Sequence, residues 1–421
     1  MEHKNTKHKY IIYGSIAITL VLIIGIVTYL ISVNNAKGQI KKFEKSVQEN
    51  KYNTIANQLS NSENTITKSD AKNFVKYVKE EEHKSSYNKQ IKAIKKKIDS
   101  NNNNNTDYGS INDEYGNKII SIRKNGKKFF FIDKLEFKPY LTNVYVKEFD
   151  NTSLYKYKNK EVLAESNQST IVGKFLIGKY DIKANKTIKD SLHNGKATGK
   201  LHIDLTGNRN GNKVYATEDF NQSWIKVTIK NNELLENNKY NIYIDDKEKE
   251  YKRQQVYGKY FNPTESKVYV TGKLEGKEFK TNENTIRRNY SNSSQNLTLS
   301  FDKGRISKYK EDSEQIKNKA KKFIENYSKY LNKAYKKSNY DEVSEYIEPN
   351  TKISKHIKKL IKNKTKVHYS KPKIKKIVRD NNDFYITVEK TTKGQNSETK
   401  YNLKYDTTFK DFKIVDVNYI N

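Results

Sequence analysis

The chain has 421 residues, with 82 Lys and Arg against 49 Asp and Glu, a formal net charge of +33, and no cysteine. The missing cysteine excludes disulfides, thiol nucleophiles and cysteine-bound zinc. Aromatic residues make up 12% of the sequence and include 32 tyrosines, which argues against wholesale disorder.

Only seven of the basic residues are arginine. Lysine is a compact point charge, suited to diffuse attraction to polyanions more than to bidentate phosphate recognition. Two origins of this charge stand side by side: the codon bias of an AT-rich genome, which enriches Lys, Asn, Ile and Tyr, and a selected affinity for a polyanionic surface.

Residues 1–9 form a short basic tail, followed from Tyr10 to Val33 by a stretch without a charge. At 1.5 Å per residue this run crosses a hydrocarbon core of about 30 Å with room to tilt. It exceeds the h-region of a cleaved signal peptide, so residues 10–33 are expected to be a transmembrane signal-anchor and the single span. Lys4, Lys7 and Lys9 precede it, but Lys37, Lys41, Lys42 and Lys45 follow, and local charge counting does not settle the orientation. The use of a signal-anchor for export and the absence of cysteine favour a cytoplasmic N-terminus. The expected location is the cell membrane, with the later domains outside a Gram-positive cell.

Residues 34–134 are expected to hold an extracellular helical domain closed by a hairpin. Ile40, Phe43 and Val47 recur at helical spacing, as do Tyr52, Ile55 and Leu59. Thr67 and Asp70 form a T-x-x-D capping signal before Ala71, Phe74, Val75 and Val78. Tyr87, Ile91, Ile94 and Ile98 mark a further amphipathic face. The Asn101–Asn105 tract reads as loop. Asn125-Gly126, between Ile120/Ile122 and Phe129, Phe130, Phe131 and Ile132, reads as a hairpin turn.

From 135 to 210 and from 211 to 305 the sequence runs in short alternating segments, such as Leu201–Leu205 and Trp224–Ile229, and predicts two β-sandwich-like domains. A weak internal repeat supports a tandem over one large barrel. LYKYKN at Leu154 precedes VGKF at Val172, and IYIDDK at Ile242 precedes YGKY at Tyr257. Residues 306–421 return to helical spacing at Ile316, Ala320, Phe323, Tyr327, Leu331 and Ala334, then at Val343 and Ile347, then at Ile353, Ile357 and Leu360. Strands follow at 374–378, 384–388, 401–405 and 412–417, giving helices against one face of a curved antiparallel sheet. The expected fold class is a multidomain α+β chain with one transmembrane helix.

Motifs for chemistry are scarce. The seven histidines (His3, His8, His83, His193, His202, His356, His368) include no pair at the i,i+4 spacing of a helical metal site. GKATGKL at Gly195 has one residue too few for a phosphate loop, and Leu201 stands where Ser or Thr must bind magnesium. There is no G-x-S-x-G elbow. No catalytic residue, metal site or cofactor is expected, and the chain reads as a non-enzyme. Tyr385, Tyr401, Tyr405 and Phe412 are candidate lining residues for a small ligand in the concave C-terminal sheet.

Three stretches carry a resemblance: ITKSDAKNFVKYVKEEE from Ile66, RKNGKKFFFIDKLEFKPYLTNVYV from Arg123, and the C-terminal residues from 306. They resemble the first extracellular domain, the hairpin leading into tandem β-domains, and the NTF2-like domain of the teicoplanin-resistance-associated TcaA family. That resemblance implies a cell-surface protein that alters glycopeptide susceptibility and takes part in wall homeostasis, and it implies no catalytic residues. Family members commonly begin with a cytoplasmic four-cysteine zinc ribbon; MEHKNTKHK stands before the span here, so sensing by such a ribbon is not expected. The expected partners are the membrane and anionic wall polymers such as teichoic acid or peptidoglycan, with no nucleic acid. A lipid, peptide or antibiotic ligand of the C-terminal domain is the second reading, and a wall-polymer-modifying enzyme the third.

Overall fold

The computed structural model describes residues 3–100, 106–128, 132–190, 193–209, 213–236, 238–262, 265–392 and 395–420. The Asn101–Asn105 tract and Phe129–Phe131, expected above as loop and strand, lie outside the described residues. Two compact units divide the chain. One comprises Met1–Ser223 with Gly258–Pro263 and Arg288–Ser293, and the other the remainder.

The first unit opens with α1 (His3–Asn34), whose stretch from Lys9 to Asn34 is long and apolar enough to cross a membrane. Its Ile, Leu and Val side chains stand exposed, as in Ile11, Val21 and Leu22. Asn35 caps α2 (Ala36–Gln48) by accepting the Gly38 N–H at 2.8 Å. A Cβ on Gly38 would lie 2.2 Å from the Val33 carbonyl oxygen, so this close junction requires glycine. Then come α3 (Tyr52–Leu59), α4 (Lys68–Lys79) and α5 (Glu81–Asp99). Thr67 and Asp70 complete a reciprocal capping box at α4, a device worth about 1 kcal/mol.

The apolar stripes of these helices meet a three-stranded antiparallel sheet of β1 (Asp107–Asn112), β2 (Lys118–Lys128) and β3 (Ile132–Pro139). Phe43 stacks on Phe137 at 4.8 Å inside this core. The hairpin between β2 and β3 is present, but Asn125-Gly126 is not its turn. Register steps from Lys124↔Leu135 to Lys127↔Asp133, leaving one extra residue on β2. Gly126 at φ +77° serves this bulge, where a left-handed residue kinks the strand without ending it. Leu135 and Phe137 also pack in the helical core, so the β-domain begins after residue 139 and not at 135.

The first β-domain holds β4 (Thr142–Lys147), β5 (Thr152–Tyr157), β6 (Lys160–Ala164), β7 (Ser169–Phe175), β8 (Lys179–Lys189), β9 (Gly195–Asp204), β10 (Val214–Tyr215) and β11 (Thr217–Asp219). One sheet has the order β10-β4-β7 and the other β11-β9-β8-β5-β6. Val144, Val172, Tyr180 and Leu201 from both sheets share one core, as a sandwich requires. β10 and β11 fall beyond the expected boundary at 210, because two- and three-residue strands carry no readable alternation. GKATGKL is the start of β9, paired with β8 from Ile188↔Gly195 onward, so it is an extended strand and not a phosphate loop.

Next along the chain are β12 (Gln222–Lys230), β13 (Tyr240–Ile244), β14 (Lys247–Glu250), β15 (Val256–Phe261), β16 (Ser266–Leu274), β17 (Lys277–Lys280), β18 (Asn284–Ile286) and β19 (Gln295–Ser300). The sequence repeat is a repeat of topology. The order β14-β13-β16-β17 reproduces β6-β5-β8-β9, and β19 runs parallel to β12 as β10 does to β4. LYKYKN and IYIDDK lie at the turns of the matching hairpins β5-β6 and β13-β14. The second turns at Asp245 and Asp246, both with positive φ, the backbone of a two-residue type I′ turn.

The second unit ends in an α+β domain. α6 (Lys303–Lys337) is capped by Asp302, which accepts the Arg305 N–H at 3.0 Å. α7 (Asp341–Ser344) is one turn, and α8 (Lys352–Lys362) is capped by Thr351. The meander β20 (Lys373–Asp380), β21 (Asp383–Thr392), β22 (Gln395–Asp406) and β23 (Asp411–Ile420) forms a four-stranded sheet in sequence order. Ala320, Ile324, Leu331, Ile357 and Ile361 from the helices and Phe384, Ile386, Leu403 and Ile414 from the sheet fill its core.

Candidate functional site

Three of the four residues expected to line a ligand site are core residues. Tyr405 and Phe412 have ring centroids 4.8 Å apart, and Phe412 meets Phe384 at 5.2 Å and Phe323 at 5.6 Å. Tyr401 lies against Tyr327 at 5.8 Å. Tyr385 pairs with Asn402, out of phase with the Ile386↔Tyr401 pair. It therefore lies on the opposite face of the sheet, half-buried, with Lys400 over its ring at 4.8 Å. The four do not come together.

Tyr401 instead leads to a residue that the sequence reading missed. Lys390 continues the inward phase of Phe384, Ile386 and Val388 on β21 and is 3% exposed. Its Nζ donates to the Tyr401 hydroxyl. It lies 4.8 Å from the Tyr401 ring centroid, 4.9 Å from that of Tyr369 and 5.8 Å from that of Tyr327. No carboxylate pairs with it among the described residues. Burial lowers its pKa from the ordinary 10.5 to about 8, since a charge taken from water without a counter-ion is costly. The strand phase was the available signal: a lysine two residues beyond an F-x-I-x-V run points inward.

A second buried lysine has the opposite surroundings. In the first β-domain, Lys186 on β8 is fully buried, with Nζ 2.8 Å from Glu148 and 3.0 Å from Glu218. It also donates to Gln222 Oε1 at 2.7 Å. Lys259 pairs with the other oxygen of Glu218. The Tyr155 hydroxyl lies 2.5 Å from Glu148 and 2.8 Å from Glu218, and Asn151 donates to Glu148 at 2.8 Å. Burial would raise the Glu218 carboxyl, but Lys186 and then Lys259 hold it below the ordinary carboxylate range. Two cations, two anions and their amide and phenol neighbours form a balanced buried network, which reads as a strut of the sandwich.

The surface of the C-terminal domain carries the largest charge asymmetry. From Thr351 to Arg379 there are eleven lysines and one arginine and not one Asp or Glu. All eleven lysines are exposed. The cause is the amphipathicity of α8. Ile353, Ile357 and Ile361 face the core, which turns Lys352, Lys355, Lys358, Lys359 and Lys362 outward. Lys352, Lys355, Lys359 and Lys362 line one flank over about 15 Å at 1.5 Å per residue. Lys364, Lys366, Lys371, Lys373, Lys375 and Lys376 continue the charge. Among the described residues only Lys375 of the eleven has an ion-pair partner, Glu389. No group of His, Asp and Glu among the described residues has the arrangement of a metal site.

Comparison with known proteins supplies the family context. Residues 36–139 match the second domain of TcaA proteins, and residues 316–418 match the TcaA NTF2-like domain. The chain is 28% identical over 350 residues to the membrane-associated protein TcaA of Staphylococcus aureus strain N315, covering 81% of this chain and 74% of that protein. It is 26% identical over 390 residues to the membrane-associated protein TcaA of Staphylococcus saprophyticus, covering 91% and 83%. No solved structure matches the chain.

Proposed function

Starting from a chain that carries two TcaA-family domains and one N-terminal apolar helix long enough to span a membrane, we propose a non-enzymatic scaffold of the Gram-positive cell envelope. Its N-terminus is cytoplasmic and its folded domains lie outside. They bind or organise anionic wall polymers, and through that organisation the protein influences susceptibility to glycopeptides of the teicoplanin type. The observation that carries this reading is the acid-free run from Thr351 to Arg379, with its eleven exposed lysines. Other acid-free runs occur, such as His83–Ile98 with six lysines, but the run from Thr351 to Arg379 is longer and carries eleven, over a whole helix, the loop after it and most of the next strand.

Such a surface gains counter-ion release and attraction from any chain of phosphates, and that attraction falls as salt screens it. The test is sedimentation of the detergent-solubilised chain with isolated walls, before and after teichoic acid extraction, across a salt series. Binding that is lost on extraction and weakens steeply with salt is the expected result. Binding that ignores both would rule out the polyanion reading.

The C-terminal domain as a receptor for an apolar small ligand is the weaker reading. Tyr401, Tyr405 and Phe412, which would have to line such a pocket, are packed against one another and against the helices.

A further inference from the structure

Beside the lysine face, the C-terminal turns of α6 and the segment 364–368 border a cavity of about 900 Å³. It is lined by Asn332, Tyr335, Lys336, Lys364, Lys366 and His368, among others. Asn332 fixes its shape. The Asn332 side chain donates to the Tyr369 carbonyl and accepts the Tyr369 N–H, both at 2.9 Å, which ties the 364–372 segment along the helix. Glu342, in the turn after α6, is already engaged by Lys333 at 2.6 Å and Lys337 at 2.7 Å. Lys336, Lys364 and Lys366 have no carboxylate partner among the described residues.

The wall behind these lysines is aromatic. Tyr335 is 6% exposed, and its hydroxyl is shut off from solvent with the Tyr369 phenol as its neighbour. Tyr369 in turn stands 6.4 Å from Tyr335, ring to ring, and 4.9 Å from the Lys390 ammonium. The uncompensated buried cation therefore lies one aromatic layer behind the cavity wall.

We propose that this cavity is a binding site for a phosphodiester unit of an anionic polyol-phosphate polymer. Lys336, Lys364 and Lys366 neutralise the phosphate, and the α8 lysines receive the flanking repeats. The inference rests on the wall-polymer reading above and localises it. A polymer is favoured over a membrane surface because the isoleucines of α8 point inward. The helix thus presents lysine without the apolar side chains that an interfacial helix inserts among headgroups.

The test uses the full chain in phosphatidylcholine nanodiscs and poly(glycerol phosphate) of defined length. Reversing the site as Lys336→Glu, Lys364→Glu and Lys366→Glu together is expected to weaken binding by about 30-fold, as three lost and inverted charge contacts imply. A charge-matched control, Lys158→Glu, Lys183→Glu and Lys196→Glu on the exposed first β-domain, is expected to cost less than about threefold. Equal losses from the two triple variants would overturn the site while leaving diffuse wall attraction intact. Absence of binding by the unmodified chain would remove both. Loss of retention on phosphatidylglycerol nanodiscs with polymer binding unchanged in the site variant would assign the cavity to a lipid headgroup and overturn the polymer assignment.

Discussion

Lys186 and Lys390 are buried to the same degree, at 0% and 3% exposure, in domains of one chain, and their surroundings are electrically opposite. Around Lys186, Glu148 and Glu218 supply the counter-charge and Lys259 completes a neutral set. Around Lys390 stand tyrosine rings and one phenol, with no carboxylate paired to it among the described residues. The first arrangement uses all its charge internally and has none left for a partner. The second leaves a cation that burial makes costly, directly behind a lysine-lined cavity. A buried charge that is paired belongs to the fold; one that is unpaired is a place where binding an anion relieves a cost.

The comparison predicts opposite signs for the same substitution. Lys186→Met should destabilise the first β-domain by about 3–5 kcal/mol, because it strands two buried carboxylates on one lysine. Hydrogen exchange of β8 and β9 peptides in the full chain measures it, and full protection in the variant would deny that the network is a strut. Lys390→Met should do the reverse. The depressed Lys390 value represents about 3 kcal/mol of destabilisation at neutral pH, and orphaning the Tyr401 hydroxyl returns about 1 kcal/mol of that. A net gain of about 2 kcal/mol is expected in β21 and β22 protection.

The pH dependence sharpens the same contrast. Below pH 8 Lys390 is protonated both folded and unfolded, and its destabilising effect is complete. Between about 8 and 10.5 the unfolded chain binds the extra proton, so stability of the C-terminal domain rises with pH. Lys390→Met should abolish that rise. Glu218 has the opposite sense. Its carboxyl is held below the ordinary 4.5, so its contribution is complete above that value and is lost as the pH falls below it. Acid should therefore open the first β-domain through Glu218, and Glu218→Gln should remove that sensitivity at the cost of lower stability at neutral pH. The smallest effect is at the cap of α8. Thr351→Ala removes the bond to the Ser354 N–H and should cost about 1 kcal/mol, fraying the start of the lysine face without touching either buried lysine.

Much of this architecture was legible because it rests on local patterns. The uncharged run from Tyr10, the Thr67/Asp70 box and the Ile353/Ile357 stripe each specify an element from neighbouring residues. The LYKYKN and IYIDDK segments betrayed the tandem because each joins the end of a strand to the turn that follows it. Asn125-Gly126 misled because a glycine with positive φ serves a bulge as well as a turn. The boundary at 210 failed because β10 and β11 are too short to alternate. Glu148, Lys186, Glu218 and Lys259 could not be grouped in advance, since strand pairing alone brings positions so far apart in sequence into one network. The four aromatic candidates were chosen by residue type; strand phase would have separated Tyr385 from Tyr401 and pointed to Lys390 in their place.

Lysine footprinting tests the central claim most directly. The full chain in phosphatidylcholine nanodiscs would be acetylated with a small activated ester, with and without poly(glycerol phosphate), and the modified peptides quantified by mass spectrometry. The account predicts protection concentrated at Lys336, Lys364, Lys366 and the α8 lysines, with Lys158, Lys183 and Lys196 modified as before. Protection spread evenly over the lysines of every domain, or confined to the β-domains, would contradict it.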